Sequence, residues 1–277
     1  MRVHISVDME GMAGISHESQ AEQGNHDYPR MRELLTNEVV AAVEGAREGG
    51  ANEFVVCDAH DTGRNLLVEQ FDEDVEIVQG SSYDYGMMGG ISRDFDAAFQ
   101  VGYHAMRNTH MGVIGHTYTY TVLALRINDT LVGETGLNAA LAGHFGVPLA
   151  MVAGDKHAVD QAKKLIKSVV GVPVKTGVGI YGAHALAPKK ACAAIREGAL
   201  KATKAVKGIR PYRPREPVRM EIDFASPAMA QYCQGVPTVN RLSATTIGYR
   251  SKDMLDAFRL LEALKMIAGS VRRDGEL

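Results

Sequence analysis

The sequence predicts an α/β protein: a three-layer α/β/α domain around a mainly parallel sheet, followed by a smaller carboxyl-terminal α+β lobe. Three observations predict it. Short apolar runs alternate with amphipathic helical stretches over the first ~170 residues, the pattern of βαβ units. Several of those runs stop abruptly at acids or histidines, as strands do where they open onto a crevice. Beyond Gly171 the alternation lapses, and GIRPYRPREPV at 208–218 reads as a proline-rich connector without periodicity.

The elements follow in order. Residues 2–7 read as a first strand, and a Gly-, Ser-, His- and Asn-rich loop runs to about Asp27. Over 29–48, Leu34, Leu35, Val39, Val40 and Val43 recur at helical spacing, with Pro29 at the start and Gly49–Gly50 at the stop. ANEFVVCDAH supplies strand two, and a parallel right-handed crossover is the expected pairing. EIVQG at 76–80 reads as a short strand, SSYDYGMMGGI as a loose segment, and DAAFQVGYH at 96–104 as the next strand. YTVLALRI and TLVGE flank Asn128–Asp129, a tight-turn pair that predicts a hairpin over 119–133.

A helix is expected from Glu134 to His144, a strand over 148–155 and a helix through HAVDQAKKLIKSV. PVKTGVGIYG reads as short and extended, 188–206 as a helix entered through Pro188, and 218–225 as an alternating strand. A strand and a helix of about four turns close the chain. The expected division is 1–175 for a metal-binding catalytic domain and 176–277 for the smaller lobe, the expected source of oligomer contacts.

Composition excludes several classes. The chain has 277 residues, 45% of them hydrophobic, and a formal net charge of -3, so no global basic field draws it to nucleic acid or an anionic membrane. No uninterrupted apolar run reaches the ~18 residues of a spanning helix, and MRVHISVDMEG does not read as a signal peptide. Cys57, Cys192 and Cys233 lack the spacing of a disulfide framework or a thiolate zinc site. A cytoplasmic location is the resulting expectation.

The chemistry gathers at the strand ends. ISV precedes Asp8 and Glu10, FVVC precedes Asp58 and His60, and AAFQVGY precedes His104. Asp8 and Glu10, one residue apart, point the same way in extended backbone. Glu134 adds a carboxylate at the hairpin-to-helix junction. Three carboxylates and two imidazoles suit zinc, or manganese or cobalt, better than calcium. Five donors exceed the usual three of a mononuclear catalytic zinc, and two ions sharing a bridging carboxylate would use them all. Such a pair ionises a shared water near neutral pH. Each residue alone also fits a cap or a satisfied polar side chain.

The motif Ser6-x-Asp8-x-Glu10-Gly11 resembles the signature of the M55 D-aminopeptidases, the dipeptide-operon peptidase family. DAH at 58–60, GYHA at 102–105, Gly-His-Thr at 115–117 and GETGLNA at 133–139 are similar to the family's later motifs in the same order, as are VAGD at 152–155 and SKDMLDAF at 251–258. The resemblance spans nearly the whole chain and is weakest over 156–217. It implies a binuclear zinc site in which Asp8 bridges, Glu10 and His60 complete one ion, and His104 and Glu134 the other. It implies a catalytic role for His116, followed by Thr117 where the family often has serine. It implies hydrolysis of short peptides with an amino-terminal D-residue, such as D-Ala-D-Ala, by stacked-ring decamers. His116 would protonate the leaving amine, with direct nucleophile or structural histidine as the alternatives. Asn138, four residues after Glu134, would orient it or bind substrate.

Other readings compete. Gly177-Val-Gly179-Ile-Tyr-Gly182 matches a dinucleotide fingerprint, but no helix opens on it until Pro188. His110, His144, His157 and His184 lack partners at ligand spacing, whereas His17 and His26 sit where they could line a pocket. Rival functions are a non-catalytic dipeptide-binding or transport accessory protein and a binuclear phosphoesterase. The latter should place cations beside the motifs, where Arg64 and Arg107 are the nearest in sequence.

Overall fold

The structure, a computed structural model, describes residues 1–80 and 84–271. The tail of the terminal sequence and part of the SSYDYGMMGGI segment lie outside the described residues. In chain order the elements are β1 (Arg2–Val7), α1 (Tyr28–Glu48), β2 (Glu53–Asp58), β3 (Val75–Val78), β4 (Ala97–Tyr103), β5 (Val122–Ile127), β6 (Thr130–Val132), α2 (Glu134–His144) and β7 (Leu149–Asp155). There follow α3 (Lys156–Leu165), β8 (Val170–Gly179), β9 (Gly182–Ala185), α4 (Pro188–Ala205), β10 (Val218–Phe224), α5 (Pro227–Cys233), β11 (Asn240–Arg241), β12 (Thr246–Ser251) and α6 (Met254–Ser270).

Seven strands form one sheet in the order β3-β2-β1-β4-β7-β8-β9, parallel except for β9. Its central strands read as unbroken apolar runs because both faces are covered; β4 and β7 are buried throughout. In β8, a Cβ at Gly171 would meet Val159 of α3, whereas the next residue, Val172, meets Gly198 of α4. Consecutive strand residues face opposite ways, so α3 and α4 cover opposite faces. That makes the three layers, with α1 packed beside α4 and α2 beside α3.

A second sheet, β11-β12-β10-β5-β6, is antiparallel. In β10, Val218, Met220, Ile222 and Phe224 are buried and the residues between them half-buried, the alternation of a sheet with one wet face. α6 packs on this sheet and also reaches α2.

The layout differs from the expected division at residue 175. β8 runs across that boundary, and the second sheet takes β5 and β6 from well before it. The hairpin is as expected, with Asn128 and Asp129 at φ 48° and 70°, the signs of a type I′ turn. α3 ends at Leu165 rather than continuing toward Val169, because β-branched Val170 is drawn into β8 opposite Met151. The Gly177–Gly182 fingerprint forms the β8–β9 hairpin, not a strand-to-helix turn. α5 starts from a Ser226 cap and Pro227, a signal present in the sequence. Among the described residues, no helix is long and apolar enough to cross a membrane.

Candidate metal centre

In the sheet order, β2 lies on one side of β1 and β4 on the other. The crevice at that switch, beyond the carboxyl ends, is where open α/β sheets bind ligands. Asp8 and Glu10 follow β1, His60 follows β2, His104 follows β4, and Glu134 opens α2. Two glycines let the segments close up. A Cβ at Gly11 would fall 1.9 Å from Tyr103 O, and one at Gly102, where φ is +76°, 1.9 Å from Asp8 O. No other residue permits that approach, which sets Asp8 against His104.

The five expected ligands converge, each 3–9% exposed. His60 Nδ1 lies 2.9 Å from Glu10 Oε2 and 3.4 Å from Asp8 Oδ1. His104 Nε2 lies 3.4 Å from Asp8 Oδ2 and 3.4 Å from Glu134 Oε1. Asp8 thus turns one oxygen to each histidine and divides the donors into two sets. His116 stands beside both: its Nε2 is 3.8 Å from Glu10 Oε1 and 3.9 Å from Glu134 Oε1. Its ring stacks on His104 and, on the outer side, on Tyr120.

Every imidazole is anchored from behind. The ring nitrogen away from the cluster donates to a backbone carbonyl in each case: His60 to Ala21, His104 to Ala105 and His116 to Ile114, at 2.9–3.0 Å. A carbonyl can only accept, so the neutral tautomer aims its lone pair at the cluster, the arrangement metal-ligating histidines use. Buried Asp8 Oδ2, Glu10 Oε2 and His104 Nε2 have no hydrogen-bond partner among the described residues. Buried polar atoms are rarely left so, and a cation among them would satisfy all three.

The electrostatics agree. Burial pushes the Asp8 carboxyl up, and neighbouring Glu10 adds to the push. Burial opposes ionisation of Glu10 and Glu134 too, but His60 and His104 outweigh it and hold both below the usual range. Burial alone would lower the two histidines; Glu10 raises His60 well above its ordinary value, and Glu134 raises His104 to about 10. His116 goes the other way, lowered by burial and by the charge on His104.

The loop carrying His116 is strained on both sides. Ile114 and Tyr118 have φ of 42° and 59°, costly for residues other than glycine. Each is held: Ile114 N donates to Ile180 O at 2.9 Å, and Tyr118 N donates to Glu134 Oε1 at 2.6 Å. Asn138 is fully buried beneath the site instead of facing the cavity. It accepts from Tyr118 Oη at 3.0 Å and donates to Tyr103 Oη at 2.9 Å. It is linked to Glu134 through Tyr118, and it is not among the residues that line the cavity.

Several expected neighbours are elsewhere. Asp58 turns away to the backbone N–H groups of Asn65 and Leu66. His17 caps a short turn and packs on Tyr181, and His26 pairs with Asp27 in solvent. Arg64 bonds Thr62, and Arg107 lies over the Tyr120 ring. Missing from the sequence reading is Lys175, buried in β8, whose ammonium donates to the carbonyls of Glu10 and Ile15. The cluster opens into a cavity of about 1370 Å³, walled on the far side by α6 residues including Glu262 and Lys265.

The chain is similar to known D-aminopeptidases along nearly its whole length. The Peptidase M55 family model, described as D-aminopeptidase, matches residues 1–263. A D-aminopeptidase of Bacillus subtilis (strain 168) is 32% identical over 269 residues, 97% of this chain and 98% of the relative. The solved structure described as "Zn-dependent D-aminopeptidase DppA from Bacillus subtilis, a self-compartmentalizing protease" superposes with a TM-score of 0.95 at 31% identity, covering 99% of this chain and 100% of that one.

Proposed function

The chain belongs to the M55 D-aminopeptidase family, and from that premise we propose that it hydrolyses short peptides with an amino-terminal D-residue, such as D-Ala-D-Ala, using two zinc ions. The observation that carries the proposal is the division of Asp8 between His60 and His104. Asp8, Glu10 and His60 would hold one ion; Asp8, His104 and Glu134 the other. Mixed imidazole and carboxylate donors suit zinc, and the solved relative is described as Zn-dependent. Bound zinc supplies Lewis-acid charge at the scissile carbonyl and acidifies water.

The chain's own groups supply the rest. His116 holds its Nδ1 proton on Ile114 O, which leaves Nε2 to take up a proton and deliver it to the departing amine. Burial of His116 lowers its basicity, which favours the uncharged ring that can take the proton up. Tyr118 N–H fixes Glu134, and Asn138 positions Tyr118.

The solved relative is described as self-compartmentalizing. We extend that to this chain as a stacked-ring homodecamer acting in the cytoplasm, with contacts contributed by residues 176–277. The deciding experiment loads metal-free protein with zinc and offers D- and L-amino-terminal dipeptides beside a phosphoester panel. Metal-free protein is inactive, and zinc restores cleavage of D-Ala-D-Ala. Peptides left intact while phosphoesters are cleaved would overturn the reading.

A further inference from the structure

The cavity has two ends of different chemistry. The ligand cluster forms one end, and α6 forms the other. The charged residues that line the rest of the wall are mostly acidic, Glu18, Glu22, Asp61 and Asp84 among them. Against that background α6 holds a lysine. The Lys265 ammonium lies 3.5 Å from the centroid of the Tyr118 ring and 2.7 Å from Glu262 Oε1, with its side chain only 13% exposed. Burial pushes its basicity down, and Glu262 opposes that shift. The aromatic face and the carboxylate together keep a cation where desolvation disfavours one. An ammonium has three donors. Glu262 and the ring occupy two directions, and the residue lines the cavity.

Tyr118 sets the spacing between the two ends. Its backbone N–H is on Glu134 and its ring is under Lys265. One tyrosine therefore separates the ligand cluster from the ammonium, a span that one or two extended peptide residues at roughly 3.5 Å each would cover. A short peptide is a zwitterion. With its scissile bond at the ligand cluster, its remaining charge is a carboxylate one or two residues farther on. The acidic residues of the wall repel that carboxylate, and Lys265 is where it would be received. Arg259, the other α6 cation in the wall, is half exposed and faces Asp84 at 4.0 Å.

We propose that Lys265 binds the free α-carboxylate of the substrate, which restricts the enzyme to di- and tripeptides with an unblocked carboxyl terminus. The assignment rests on the peptidase reading above.

The test compares D-alanyl-D-alanine with the same dipeptide capped as its carboxyl amide, using zinc-loaded protein. Wild type should favour the free acid by roughly 10–100-fold in kcat/KM, the worth of a hydrogen bond to a charged group, with most of the difference in KM. Lys265→Met should collapse that ratio toward one, and Lys265→Arg should restore much of it. Equal cleavage of acid and amide by the wild type overturns the proposal without any variant and leaves the peptidase reading intact. A Lys265→Met ratio matching wild type overturns it as well. A wild type that cleaves neither peptide removes the peptidase reading, and this assignment with it.

Discussion

His116 lies flat against His104, ring centroids 4.1 Å apart and planes 15° from parallel. The two rings meet different surroundings. His104 faces two carboxylates at 3.4 Å, whereas His116 stands 3.8–3.9 Å from its nearest ones. Stacking holds the second imidazole at the edge of the donor set, close enough to serve a reacting atom there.

His116→Ala is therefore expected to keep two zinc ions and to lose roughly 10²–10⁴-fold in kcat, the usual worth of a positioned proton-transfer group. Metal content and turnover measured on the same preparation check it. Loss of an ion along with activity would instead assign His116 to the coordination shell.

Zinc binding should release protons. His60 and His104 are raised by their carboxylate neighbours, His104 to about 10, so both are charged in the metal-free chain at neutral pH. Zinc takes only the neutral ring. Affinity for zinc should consequently rise with pH through neutrality, with one proton expelled from each of the two histidines and a further fraction from Asp8, whose carboxyl is pushed up to about 7. Calorimetry in buffers of different ionisation enthalpy counts them. A pH-independent affinity would contradict the assignment of these histidines as ligands.

Much of this site could be read from the sequence because its donors sit where apolar runs stop. The parallel core and the positions of Asp8, His60 and His104 follow from that one local signal. What could not be read is long-range. β5 finds its partner β10 about one hundred residues later, so the local pattern groups the hairpin with the 1–175 domain. Asn138 shares a helix face with Glu134, but its partner is Tyr118, delivered by a left-handed loop residue that carries no sequence mark. Lys175 in VKT and Lys265 in ALKM look like ordinary solvated lysines; only the fold buries them.

Lys175→Met tests one of those hidden contacts. The ammonium ties the carbonyls of Glu10 and Ile15 together across the loop that follows β1. Methionine fills the space and leaves both acceptors unpaired. A loss of about 2–4 kcal/mol in unfolding free energy is expected from two such buried groups, together with weaker zinc binding because the Glu10 backbone is released. Denaturant unfolding and a zinc competition assay check the two parts separately. Weakened stability with unchanged zinc affinity would confine Lys175 to a structural role.

His4 should make the fold sensitive to mild acid independently of the site. It sits fully buried in β1, with Nε2 donating to Gly89 O at 2.8 Å and its ring edge-on to Phe95. Burial pushes its pKa from 6.5 down to about 4, against the smaller opposing effect of the Gly89 bond. The neutral form is the folded form. Above pH 6.5 neither folded nor unfolded chain is protonated there, and the full contribution is present. As pH falls from 6.5 toward 4 the unfolded chain gains a proton that the folded chain refuses, so stability declines by about 3 kcal/mol in all, about 2 of it by pH 5. His4→Gln keeps a donor for Gly89 and cannot titrate. Denaturant titrations of both proteins between pH 7 and 4 should show a flatter decline for the variant by that amount. Parallel curves would mean that the acid sensitivity arises from the carboxylates and not from this histidine.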